Sequence, residues 1–201
     1  MGSKTEVRGA AQEVRAHFGP SALATPANLL TLARLAAAPV YALLLALTGP
    51  DSWLLWVLWA ALSLSDSADG HLARRHGATR SGAFLDPLAD KFLVLGAMSA
   101  LAAIGAFPVL AVVLIAGREL AMSLYRSYAG RRGVSVPARR SAKAKTWLQC
   151  LAIGFAVFPP FGAHHLAIAR WTLWVAVAVT LFTGLQYALD GRRAFPAARA
   201  A

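Results

Sequence analysis

Residues 53–103 read WLLWVLWAALSLSDSADGHLARRHGATRSGAFLDPLADKFLVLGAMSALAA. The stretch opens as an apolar run, gains aspartates at Asp66 and Asp69, crosses a basic break at 71–81 and turns apolar again after Asp86 and Asp90. Asp66 and Asp69 stand at i, i+3, and Asp86 and Asp90 at i, i+4, so each pair shares one face of a helix. A helix that enters a membrane near Trp53 carries Asp66 and Asp69 to a depth of roughly 20–24 Å, at about 1.5 Å per residue. One that enters from the opposite side near Gly82 places Asp86 and Asp90 roughly 6–12 Å in. Packed as antiparallel neighbours, the two helices hold both pairs at one level, near the side of the basic break.

The rest of the chain supports membrane crossing. Of 201 residues, 58% are hydrophobic and only 14% charged, with a mean hydropathy of +0.54, against roughly a quarter charged in average soluble domains. Six apolar stretches approach the length of a span, at 27–48, 53–70, 82–103, 107–127, 142–160 and 166–189. Short breaks such as Gly49-Pro50-Asp51 and Phe107-Pro108 separate them. With the N-terminus in the cytoplasm, Arg170 alone among the 20 Lys and Arg residues falls on the outer side, which fixes topology and number of crossings. The net charge of +11 therefore belongs to a surface that meets anionic membrane lipids; a nucleic-acid footprint does not alternate with apolar segments in this way.

The expected fold is an all-α integral membrane domain of six transmembrane helices over 27–190. A cytoplasmic segment, 1–26, precedes it and a basic cytoplasmic tail, 191–201, follows. Val7, Ala11, Val14 and Phe18 recur at helical spacing among Glu6, Arg8, Glu13 and Arg15. They predict a juxtamembrane amphipathic helix over 5–18, with a disordered polar tail as the alternative. The first apolar stretch starts late and contains Arg34, so no cleavable signal peptide is expected. The single cysteine, Cys150, sits in mid-span and indicates neither a disulfide nor a redox role.

Carboxylates inside a membrane are costly and call for a function. Four at close range do not all stay ionised without cations. Oxygen donors without Cys or His suit a hard divalent ion, Mg²⁺ or Mn²⁺, rather than zinc. Two alternatives remain at this point. An ion-pair network with Arg74 and Lys91 leaves a deficit of positive charge, and a proton or ion pathway would make the chain a membrane carrier.

The stretch Asp66-Ser-Ala-Asp69-Gly70-His-Leu-Ala73-Arg74, followed after seven residues by Gly82-Ala-Phe-Leu-Asp86-Pro-Leu-Ala-Asp90, resembles the signature of the CDP-alcohol phosphatidyltransferase family at all eight fixed positions. The resemblance implies two ions held by Asp66, Asp69, Asp86 and Asp90, which clamp the pyrophosphate of a CDP-linked lipid. It further implies that Asp90 is also the general base for the acceptor hydroxyl. Gly70 lets a nucleotide approach the backbone, Arg74 offers a bidentate grip on phosphate, and Gly82 permits a tight entry into its helix. Thr79 matches a nucleotide contact in some members. His71 and His76, in the expected loop, read as solvated. Upstream, Asn28, Thr31 and Arg34 look like the family's opening motif, with a helix-capping patch as the alternative for the first two.

Residues 117–149, with Gly117-Arg118-Glu119, Arg131-Arg132-Gly133, Pro137 and Lys143-Ala-Lys145-Thr146, look like bacterial phosphatidylglycerophosphate synthases. This resemblance implies CDP-diacylglycerol as donor and glycerol 3-phosphate as acceptor, a homodimer, and a bacterial inner membrane with the active site facing the cytoplasm. Arg118, Lys143 and Lys145 are the candidate contacts of the acceptor phosphate, the alternative for Arg118 being a helix-end ion pair with Glu119. Ala142, where relatives often carry glycine, departs from the pattern. Cardiolipin synthases of the CDP-lipid type and phosphatidylinositol phosphate synthases share the aspartates and stay open as alternatives.

Overall fold

The structure, a computed structural model, describes residues 26–76, 82–131 and 141–197, with side chains chiefly over 28–65, 87–125 and 144–187. The amphipathic helix expected over 5–18 lies outside the described residues. So do Thr79 and the side chains of Asp66, Asp69, Arg74, Asp86 and Lys143. Six α-helices stand among the described residues: α1 Pro26–Thr48, α2 Trp53–His76, α3 Gly82–Ala103, α4 Val109–Arg131, α5 Ser141–Ala156 and α6 His165–Ala197. A 3₁₀ turn, Pro159–His164, joins the last two. The chain is all-helical in this sense, and no strand occurs among the described residues.

Glycines close the helices where the breaks were expected. Gly49 (φ +78°) ends α1 by donating its N–H to the Leu45 carbonyl at 3.1 Å. Gly105 (φ +74°) ends α3 in a Schellman turn, with Ala106 N–H on the Leu101 carbonyl at 2.8 Å and Gly105 N–H on that of Ala102 at 3.0 Å. Arg170, the cation expected on the outer side, completes this end: Nε donates to the Ala106 carbonyl at 2.6 Å and Nη2 to the Gly105 carbonyl at 2.9 Å. Trp53 meets Trp56 and Phe158 edge to face, and Trp56 tilts against Phe158, joining the start of α2 to the exit of α5.

Helix α4 runs four residues past the expected 127, to Arg131, and three further boundaries differ from expectation. Helix α2 does not stop at 70 but continues to His76, because Leu72, Ala73, Arg74 and Arg75 favour helix and outweigh the single Gly70. His71 and His76 therefore stand on the helix, not in a loop. Helix α5 stops at Ala156, ahead of the Pro159-Pro160 pair, which cannot continue it. Helix α6 runs 33 residues through Gly191 to Ala197, about 50 Å at 1.5 Å per residue, well beyond a hydrocarbon core of about 30 Å.

The apolar core is accompanied by buried polar residues and by large apolar residues on the surface. Asn28, Thr31, Arg34, Lys145, Gln149, Thr180 and Thr183 are buried, while Leu43, Leu47, Val57, Val113, Phe182 and Leu185 are exposed. Such a surface suits lipid and not water. Two helices, over Asn28–Thr48 and His165–Tyr187, are long and apolar enough by themselves to cross a membrane, and Trp53–Ser65 is a shorter apolar segment. Small residues line the interior: Ala97, Ala111, Ala152, Ala156, Ala169 and Ala176 are fully buried, letting backbones approach closely where water supplies no driving force.

Helix α1 packs most extensively on α3 and also on α2, and α5 packs most extensively on α6. The ends of α2 and α3 that bear Asp66, Asp69 and Asp86 have no described side chains; among the described residues the common neighbour of these two helices is α1. Its Ala38, Tyr41 and Leu45 fill one end of the shared interface, with Tyr41 against the Trp59 ring at 5.7 Å. Trp59 in turn donates Nε1–H to the Cys150 carbonyl of α5 at 3.1 Å.

Candidate active site

The buried stripe of α1 changes character along its length. Toward its start it carries Asn28, Thr31 and Arg34, all at most 2% exposed, at the i, i+3, i+6 spacing that keeps them on one face. Asn28 lies inside a helix that begins at Pro26, so it is not the capping residue.

Arg34 is the hub of this end. Its Nη1 donates to Oδ1 of Asp90 on α3 at 3.0 Å, and its Nε donates to Oγ of Ser65 on α2 at 3.1 Å. Ser65 passes its own hydrogen to the Leu62 carbonyl at 2.7 Å. The planar guanidinium fits this double task, since its donors leave in fixed directions. The Arg34 side chain is 1% accessible and that of Asp90 37%, so the cation is sealed in while the carboxylate borders open space.

Ser65 immediately precedes Asp66 and stands one turn from Asp69. The guanidinium thus brings the end of the second aspartate pair beside the helix turn that bears the first. The four carboxylates supply the oxygen-only set that a hard divalent ion takes. The accessible face of Asp90, next to that turn, fits such a role. Among the described residues no three potential ligands converge, since Asp90 is the only one of the four whose side chain is described.

A second polar cluster lies across α3. Lys91, the next residue after Asp90, reaches α4 and donates to Ser123 Oγ, which donates to the Glu119 carbonyl at 2.7 Å. Glu119 Oε1 receives Arg118 Nη1 at 3.0 Å and also Lys145 Nζ from α5. Arg118 Nη2 donates to Thr183 Oγ1 on α6 at 3.1 Å. Below it, Gln149 donates to Thr180 Oγ1 at 3.3 Å. Gly184 makes room for Arg118, because a Cβ there would stand 3.3 Å from both Cγ and Nε of the arginine.

The charge of this cluster is unbalanced. Arg118 and Lys145 meet one carboxylate, Glu119, Lys91 contacts Ser123 instead, and the neighbouring Asp90 already faces Arg34. Two positive charges remain among the described side chains, with Lys91 in electrostatic reach of both Glu119 and Lys145. Arg118 Nε is buried with no hydrogen-bond partner among the described residues. Excess charge in such surroundings calls for a counter-ion.

The structure thus joins Asp90 to Arg34, and Arg118 to Lys145, and it sets both clusters on consecutive residues of α3. The sequence reading placed Arg34 only within the opening motif. An arginine on the same stripe as Asn28 and Thr31, inside an apolar segment, was the available signal for a buried partner.

The CDP-alcohol phosphatidyltransferase family matches residues 24–182, and the chain belongs to that family. It is accordingly a transferase of phospholipid biosynthesis, and the carrier alternative is not favoured. A probable phosphatidylglycerophosphate synthase of Mycobacterium tuberculosis (strain H37Rv) is 40% identical over 174 residues, 84% of this chain and 82% of the relative. CDP-diacylglycerol–glycerol-3-phosphate 3-phosphatidyltransferases of Rickettsia bellii and Bacillus subtilis are 34% and 32% identical, each covering 80% of this chain and 91% of the relative. The family generally uses divalent metal ions.

Proposed function

We propose that the chain transfers the phosphatidyl group of CDP-diacylglycerol to glycerol 3-phosphate, forming phosphatidylglycerophosphate and releasing CMP. The observation that carries this reading is the cation-rich cluster one residue beyond Asp90. Its two uncompensated charges match a phosphomonoester dianion.

The acceptor oxygen forms a bond to the phosphorus that bears diacylglycerol while the pyrophosphate P–O bond breaks and CMP departs with the electron pair. The acceptor proton goes to the Asp90 carboxylate, which Arg34 holds by one oxygen. Asp66, Asp69, Asp86 and Asp90 would hold two ions, Mg²⁺ or Mn²⁺, whose charge when bound offsets that of the pyrophosphate. Asn28, Thr31, Gly70, Arg74, Thr79 and Gly82 contact the CDP-lipid, with Gly70 giving the nucleotide access to the backbone. Arg118, Lys143 and Lys145 take the acceptor phosphate.

Purified protein given CDP-diacylglycerol and Mg²⁺ is expected to release CMP on addition of glycerol 3-phosphate. Release only with phosphatidylglycerol, or only with inositol phosphate, would overturn the acceptor. Charge-assisted hydrogen bonds contribute about 1.5–3 kcal/mol each. Arg118→Met or Lys145→Met is therefore expected to raise the acceptor KM by roughly ten- to a hundredfold. The KM for CDP-diacylglycerol moves far less, its pyrophosphate being held elsewhere.

All six helices span a bacterial inner membrane in this reading, with both termini and the aspartates on the cytoplasmic side. Family resemblance supports a homodimer. In a Cys150→Ala background, Asp51→Cys is expected to react with an impermeant thiol reagent in intact cells, and Gly2→Cys and Ala201→Cys are not. Labelling at either terminus overturns the topology.

A further inference from the structure

Nothing above assigns a task to Glu119, yet the cation cluster is built around it. One of its oxygens, Oε1, accepts from Arg118 on its own helix and from Lys145 on α5. The three side chains are 8–12% accessible, so water does little to screen the two cations from each other. Their separation is therefore set by a shared acceptor atom. Thr183 steers Arg118 from the other side, and Gly184 limits where its stem lies.

We infer that Glu119 is a positioning residue for the acceptor. Its carboxylate spaces Arg118 and Lys145 so that both reach one phosphate, and it lowers the cluster from three positive charges to two. The inference deepens the proposed acceptor reading and rests on it. A dianionic phosphomonoester neutralises the site; a neutral alcohol or a phosphodiester monoanion leaves positive charge unmatched in a poorly hydrated place. Glu119 thereby makes the site select phosphorylated alcohols, without touching the reacting atoms.

The test is steady-state CMP release with each substrate varied in turn. Glu119→Gln is expected to raise the glycerol 3-phosphate KM at least about tenfold, with kcat and the CDP-diacylglycerol KM within about threefold. Glu119→Asp, which keeps the charge, should recover part of that loss. Once Glu119 is Gln, adding Lys145→Met should cost less than about threefold further, because the lysine has already lost its anchor. An unchanged acceptor KM overturns the inference. So does an equal rise in both KM values with a lowered melting temperature and full additivity with Lys145→Met, the pattern of a purely structural residue. If Glu119→Gln does not fold, Glu119→Asp carries the test, and it too must raise the acceptor KM selectively. Should Arg118→Met and Lys145→Met leave the acceptor KM unmoved, the acceptor reading falls and this inference with it. If they raise it and Glu119→Gln does not, only the inference falls.

Discussion

Asp90→Asn is expected to lower CMP release by about a thousandfold or more while detergent-solubilised protein still binds CDP-diacylglycerol. Asparagine keeps the shape of aspartate and can still accept from Arg34, so the α1–α3 contact at 3.0 Å survives. What disappears is the ability to take a proton, and general bases contribute about 10²–10⁴-fold; one weakened metal ligand adds to that loss. Asp66→Asn should behave differently, with donor binding itself impaired. Arg34→Lys gives a graded companion to the test. An ammonium keeps the charge but lacks the fixed fork that spans Ser65 and Asp90, and a loss of roughly ten- to a hundredfold in kcat is expected. Single-turnover CMP release, measured beside donor binding, separates the three variants. Near-normal turnover in Asp90→Asn would move the base to another residue.

Removal of divalent cations is expected to abolish turnover completely. The four aspartates bring more negative charge than Arg34 alone offsets on the described side, and the donor adds a pyrophosphate. Without cations these groups are expected to repel one another and to leave the lipid pyrophosphate unbound. Chelator should bring CMP release to background, and added Mg²⁺ or Mn²⁺ should restore it. In Asp66→Asn the concentration needed for half-restoration should rise. Full turnover in excess EDTA would overturn the metal-dependent reading.

Much of the helical layout was legible because glycine and proline mark its ends. The expected 82–103 matches α3 residue for residue, and Gly49 closes α1 as its position implied. Elsewhere the reading stopped short: α2 runs on through Gly70 to His76 and α6 through Gly191 to Ala197, since neither polarity nor a single glycine ends a helix. The aspartate pairs were equally legible, because i, i+3 and i, i+4 spacing is local information. Their surroundings were not. Arg34 meets Asp90 across 56 residues and Ser65 across 31, and no periodicity reports a contact made through an intervening helix. Glu119 was visible only as a neighbour of Arg118. Its second partner, Lys145, lies 26 residues away on another helix.

The cap that Arg170 places on the α3 exit bears on how the molecule is assembled. The carbonyls of Gly105 and Ala106 receive that guanidinium only once α6 is in place beside α3. A nascent chain that has delivered α1 to α3 must leave these oxygens to solvent or headgroups until synthesis reaches α6. A helix that emerges later thus latches a turn made early. A chain truncated before Arg170 would leave the turn unlatched, at the end of the bundle remote from Asp90.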